Sequence, residues 1–254
     1  MKSHLLFGTL ITLLLLSGTI YAQPVTVGIK GGFSIPDLSA GANQNPINSG
    51  YSSRFGPDFS VYGEYHVSKI FSFSLGVEYS SQGGKKNKFQ AYTTPSELAS
   101  IVTTPYLYAD FKSEAKFNYL LVPVLARYYR ELNYSGSTKF YVAVGPFAGF
   151  LLNAHQVTSG SSVIYLDAGK TMPLSPDPQS FDDNSNIKSD LYHFNLGVDG
   201  FLGISHDLSR RHTIFIEVGG NYGFLSIQKN AENGKNYTGA GVMTIGYAYS
   251  IRRK

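Results

Sequence analysis

The sequence predicts an all-β protein: a closed, antiparallel, up-and-down transmembrane β-barrel of about eight strands with long extracellular loops. Three observations carry this expectation. The N-terminus reads as an export signal. Beyond it, short runs alternate apolar with small or polar residues at period two. The connections between those runs are alternately long and short.

Lys2 and His4 precede an apolar run, Leu5 to Leu16, broken only by Gly8, Thr9 and Thr12. Ser17, Gly18 and Thr19 follow, and Ile20-Tyr21-Ala22 offers a small residue at a cut. A charged start, a short apolar stretch and such a site describe a secretory signal peptide. The run is shorter than the ~20 apolar residues of a spanning helix, and no cysteine follows to carry a lipid anchor. The expected division is a signal peptide over 1–22 and a barrel domain over 23–254, with the cell outer membrane as destination.

The composition holds 27 Gly, 19 Tyr and 17 Phe with only 15% charged residues, and beyond the leader no apolar run is long enough for a membrane helix. Zero cysteines exclude a disulfide scaffold and a thiol-ligated metal. The formal net charge of +4 is scattered through strands, turns and loops, so no nucleic-acid partner is expected. Arg252-Arg253-Lys254 reads as a solvated end.

Side chains along a strand alternate faces, so the informative pattern has period two. In the first run Val25, Val27, Ile29, Gly31, Phe33 and Ile35 oppose Thr26, Gly28, Lys30, Gly32 and Ser34. In the second Phe59, Val61, Gly63, Tyr65 and Val67 oppose Ser60, Tyr62, Glu64 and His66; in the third Phe71, Phe73, Leu75, Val77 and Tyr79 oppose Ser72, Ser74, Gly76, Glu78 and Ser80. Further runs lie near 117–130, 138–152, 190–205, 212–225 and 237–251. The fourth and fifth alternate poorly, because Leu120-Leu121-Val122 and Val142-Ala143-Val144 are apolar on both faces; ten strands is the nearest rival to eight.

Long connections are expected near 36–56, 81–116, 153–189 and 226–236, and short ones at Ser68-Lys69, Glu131 to Ser137 and His206 to Arg211. Membrane barrels show this asymmetry, with short periplasmic turns and longer loops outside. Alternation alone does not say which face is out. A soluble barrel hides its apolar face, whereas lipid demands the inverse and a closed hydrogen-bonded ring. Polar faces crowded with Gly, Ser and Thr suit a narrow lumen, and apolar faces ending in Phe33, Tyr65, Tyr79 and Tyr249 suit interfacial girdles. A lipocalin-like or sandwich fold is the aqueous alternative.

Several segments resemble the PorT-like outer-membrane β-barrel family. Val27-Gly28-Ile29-Lys30-Gly31-Gly32-Phe33-Ser34 is similar to its opening strand, and Val77-Glu78-Tyr79-Ser80-Ser81-Gln82-Gly83-Gly84 to its third. Asn118 to Tyr128 resembles its fourth strand, Val144-Gly145-Pro146-Phe147-Ala148-Gly149 its fifth, and Phe215-Ile216-Glu217 with Asn221-Tyr222-Gly223 its seventh. The glutamate expected before the "I-P" dipeptide is Leu121 here, and the expected basic residue is Arg127. The resemblance implies an outer-membrane barrel, with some members linked to protein secretion; it brings no catalytic residues.

If the apolar faces meet lipid, then Lys30, Glu64, His66, Glu78, Arg127, Asp199 and Glu217 converge inside as a polar plug. An eight-stranded barrel has room for little more than side chains, so carboxylates should pair with Lys30 and Arg127. The functional alternatives are a proton or ion path and a paired-carboxylate hydrolase. Asp182-Asp183-Asn184-Ser185-Asn186 resembles part of a calcium loop, but Ile187 occupies the turn-glycine position and His193 that of the bidentate glutamate, so no metal is expected. Ser205-His206-Asp207 invites a triad, yet adjacent strand residues point opposite ways. The pairs Gly31-Gly32, Gly83-Gly84 and Gly219-Gly220 lack the strand–turn–helix setting of phosphate loops. Tyr51, Tyr92, Tyr106, Tyr108 and Tyr165 in the long loops, with Lys85, Lys86 and Lys88, are candidates for contact with a protein or glycan. The expected function is therefore non-enzymatic, without cofactor: a barrel in the lipid bilayer with a structural, adhesive or secretion-assisting role through loops or periplasmic turns. The alternatives are a membrane-embedded enzyme and a small pore.

Overall fold

The computed structural model describes residues 25–41, 45–98, 100–230 and 233–251. The expected signal peptide and the basic tail lie outside them. Strands run β1 Val25–Ala40, β2 Gly56–His66, β3 Phe71–Thr93, β4 Tyr106–Glu131, β5 Thr138–Ser159, β6 Ser161–Ser162, β7 Gln179–Ser180, β8 Asp183–Asn186, β9 Phe194–Asp207, β10 His212–Gly223 and β11 Asn236–Ser250. Each of β1 to β4 pairs antiparallel with the next, β5 pairs with β9, and β9, β10 and β11 follow in order until β11 closes on β1. The ring has eight strands, not ten. The short strands β6 and β7 form a separate ribbon, and β8 pairs with the outer part of β5.

The register keeps like with like. Ile29 lies between Val61 and Tyr247, and Lys30 between Ser60 and Gly246. The apolar side of each strand is the outside of the ring: Ile29 is 59% exposed, Leu75 58% and Ile245 69%, whereas Lys30 and Glu217 are buried. A closed ring satisfies every ladder hydrogen bond internally, so an apolar exterior is stable only in hydrocarbon. Tyr65, Phe73 and Tyr128 are exposed near the end with the short turns, and Phe33, Phe150 and Phe194 near the other, as interfacial girdles require.

The connections differ from expectation. In place of a loop over 81–116, β3 continues to Thr93 and β4 begins at Tyr106. A crossing needs ~9–11 residues, but β3, β4 and β5 have 23, 26 and 22. They rise together past the lipid as a three-stranded fin. The pattern inverts there. Within the bilayer Val124 and Tyr128 face out, while higher on β4 Leu107, Ala109, Phe111 and Phe117 are buried and Asp110 and Lys112 are exposed. The fin obeys the aqueous rule and the barrel the lipid rule. Leu120-Leu121-Val122 sits near the changeover, which is why it reads as apolar on both faces. On β5 a register shift opposite Asn118 and Tyr119 leaves Leu152 as an extra residue, a bulge that moves the following residues out of phase.

Two glycines are dictated by geometry. Gly83 adopts φ +122° and a Cβ there would lie 2.0 Å from the Ala115 carbonyl oxygen; a Cβ at Gly203 would lie 2.2 Å from the Tyr141 ring. Above the lipid, the loop following β1 folds inward, and Tyr51 packs with Leu38, Phe117, Leu151, Leu191 and Ile227 in one apolar core across the outer end of the barrel.

Candidate functional site: the charged lumen

Lys30 of β1, Glu64 and His66 of β2, Glu78 of β3, Arg127 of β4, Asp199 of β9 and Glu217 of β10 are all buried inside the ring. Each stands on the face opposite the lipid because the period-two pattern leaves it no other. Lys30 Nζ donates to Glu217 Oε2 at 3.0 Å and lies 3.8 Å from Glu78 Oε2. Arg127 Nη2 stands 3.3 Å from Glu217 Oε1, and its Nη1 stands 3.7 Å from Glu64 Oε2.

Neutral donors complete the network. Tyr141 OH donates to Glu217 Oε1 at 2.8 Å; Tyr129 OH and Ser72 Oγ each donate to Glu64 Oε1 at 2.6 Å. His66 Nε2 lies 3.5 Å from Glu64 Oε1 and 3.3 Å from Thr26 Oγ1. The cations also sit on rings, Lys30 Nζ 4.3 Å from the Phe201 centroid and the Arg127 guanidinium 4.7 Å from that of Tyr62. The carboxylates of Glu64 and Glu217 are thus held by neutral donors as well as by cations, which offsets their burial in a low-dielectric interior, whereas Glu78 Oε1 has no hydrogen-bond partner among the described residues. Neither carboxylate oxygen of Asp199 has a hydrogen-bond partner among the described residues.

Sequence reasoning missed several members. Asp58 is fully buried and belongs to the same face as Ser60 and Glu64; the alternating run that opens at Phe59 stops one residue short of it. Tyr129 and Tyr141 were hidden in the runs that alternate poorly. The signal that could have found Tyr129 is Arg127, since its phase along β4 places the two on the same side.

The loop tyrosines have different fates. Tyr51 does not face outward: it packs into the apolar core, and Lys86 Nζ lies 4.4 Å above its ring while donating to the Ile47 carbonyl. Tyr92 meets Phe111 and Phe181 edge-on at 5.9 and 5.6 Å, and those two rings stack at 4.5 Å. Tyr108 stacks on Phe89 at 6.0 Å and exchanges backbone hydrogen bonds with Tyr165. Tyr106 opens β4 opposite Thr93. All five are half-buried rather than fully exposed.

Ser205 is buried in the lumen while His206 is exposed on the outside, bonded to Thr138 at 2.9 Å; Asp207 pairs with Lys139 at 2.9 Å. The three cannot act as a relay. Asp183 to Asn186 form β8 rather than a loop.

A closed eight-stranded ring, apolar outside and charged within, is a transmembrane β-barrel. The chain belongs to the outer membrane protein beta-barrel domain family, whose model matches residues 21–229, and its place is the outer membrane. Its fold is similar to that of Neisserial surface protein A (13% identity, 89% of this chain and 97% of that one, TM-score 0.41). It is also similar to Ail of Yersinia pestis (11%, 89% and 98%, 0.35) and to OprG of Pseudomonas aeruginosa (14%, 91% and 97%, 0.40). No curated protein matches the chain.

Proposed function

We propose that this protein is a non-conducting, non-enzymatic scaffold that holds its fin at the cell surface for contact with a protein or glycan partner. The observation that carries the reading is the extension of β3, β4 and β5 past the lipid, with an aromatic core of its own around Phe111 and Phe181. A strand pair that merely needs to turn back would not be built so long. Within the family we read the chain as PorT-like, on the strand motifs around Lys30, Glu78, Arg127 and Glu217, and a secretion-assisting role is the related alternative.

The charged lumen acts in this reading as a polar plug. It ties β1, β2, β3, β4 and β10 across the axis, and a filled axis leaves action to the two ends.

The test is adhesion. Cells displaying the full chain should bind immobilised glycan or matrix-protein panels, and a variant with the fin cut back to Gly83 and Lys116 should lose that binding while its barrel remains heat-resistant. Equal adhesion by both would defeat the proposal. Stable single-channel conductance of the purified protein in planar bilayers would favour the pore instead.

A further inference from the structure

A cavity of about 570 Å³ occupies the end of the barrel that carries the short turns, within the ~300–1,000 Å³ typical of small-molecule sites. Its inner end is the charged network itself, through Glu64 and Arg127. It therefore faces away from the fin, toward the periplasm.

The lining combines two kinds of surface. Tyr62, Tyr129, Tyr141 and Phe215 contribute rings. Between them stand polar groups held in fixed directions: Lys139 Nζ donates to Asp207 Oδ2 at 2.9 Å, and Thr213 Oγ1 donates to Asp207 Oδ1 at 2.6 Å. On the β1 and β11 wall, Thr26 Oγ1 and Ser250 Oγ share a hydrogen bond of 3.1 Å.

The charges on this lining cancel. Besides His66, which lies 3.5 Å from Glu64, the lining holds three cations, Lys69, Arg127 and Lys139, and three carboxylates, Glu64, Glu131 and Asp207; Arg127 stands 3.7 Å from Glu64 and Lys139 2.9 Å from Asp207. A phosphorylated or carboxylated ligand would find no net positive charge, and a ligand with charged termini would have to compete with Glu64 and Asp207 for Arg127 and Lys139, which costs desolvation without new gain. A neutral polyhydroxylated ring meets neither obstacle. Its C–H face lies on an aromatic ring, and its hydroxyls both donate and accept, so they can add to side chains that are already engaged.

We propose that this cavity is a binding site for a neutral saccharide of one or two rings, reached from the side of the short turns. The site is independent of the fin and of any partner there.

The experiment uses the purified full barrel in a sugar-free detergent such as a dimethylamine oxide. Di-N-acetylchitobiose and glucose are titrated against alanyl-alanine and glucose 6-phosphate, with calorimetry as the readout. Tyrosine fluorescence serves as a second readout, since the chain has no Trp. Saturable one-to-one binding of a neutral sugar is expected, at least tenfold tighter than the dipeptide or the phosphorylated sugar. Ser205→Phe fills the cavity and should weaken binding at least tenfold while the barrel stays heat-resistant; Thr213→Phe replaces it if that variant fails to fold. No saturable binding, preference for the dipeptide or the phosphate, or unchanged affinity in the filled variant would overturn the proposal.

Discussion

Lys30 and Glu217 meet at 3.0 Å although 187 residues separate them and their strands, β1 and β10, are not neighbours in the ring. Glu217 also receives Tyr141 and stands 3.3 Å from Arg127, so one carboxylate joins groups from three other strands, β1, β4 and β5. Removing Lys30 leaves it partly unpaid in a buried site.

Lys30→Met should therefore destabilise the barrel by roughly 3–5 kcal/mol, the cost of orphaning a buried charge. Lys30→Met with Glu217→Gln should recover part of that loss, because contacting residues are not additive. Urea unfolding in lipid vesicles measures both. A double variant as unstable as the sum of the singles would mean that the pair is not coupled.

Ile245 is 69% exposed at mid-strand, beside Gly31 and Ile216. Ile245→Arg should cost about 2–4 kcal/mol, as for a cation at the bilayer midplane. Ile101, 75% exposed in the fin-tip loop, should accept Arg within about 0.5 kcal/mol. Equal costs at the two positions in vesicle unfolding would contradict a lipid-facing exterior.

Gly203→Val must displace the Tyr141 ring, since its Cβ would fall 2.2 Å away, and with it the hydrogen bond to Glu217. Overpacking of this kind costs about 1–3 kcal/mol. Gly63, with nothing within 4 Å of a Cβ, should tolerate Ala. A comparison of heat-induced mobility shifts on unboiled gels reads the difference.

Lys86 lies on the fin side of Tyr79, beyond the lipid, and burial, with repulsion from Lys88, lowers its ammonium to about 8. An unfolded chain keeps a lysine proton until about pH 10.4. Between those values the unfolded state holds a proton that the folded state has released, so stability rises with pH from about 8 to about 10. Lys86→Met should remove that rise, read as the difference between wild-type and variant urea midpoints at pH 8, 9 and 10. Parallel slopes would refute the assignment.

Much of the barrel was legible because lipid imposes a strict period. Val27 and Ile29 against Thr26 and Lys30 leave each side chain one permissible face, and Glu64, Glu78 and Glu217 follow by phase alone. The fin was not legible in the same way. Leu107, Ala109, Phe111 and Phe117 do alternate with polar residues, but in the sense proper to water, so the stretch lacks the outward apolar face that marks a membrane strand. Tyr51 illustrates the other limit: a tyrosine in a connection carries no sign of whether the chain folds it inward.

By itself, the sequence determined the alternation and which charges share one face of their strands, because both depend only on spacing along the chain; it favoured eight strands over ten without deciding between them. Tertiary structure decided which face meets lipid, that β3 to β5 outlast the membrane, and that Lys30 finds Glu217 while Asp58 joins the same interior. Those outcomes depend on how the ring closes, since only closure converts a face of each strand into an inside and an outside.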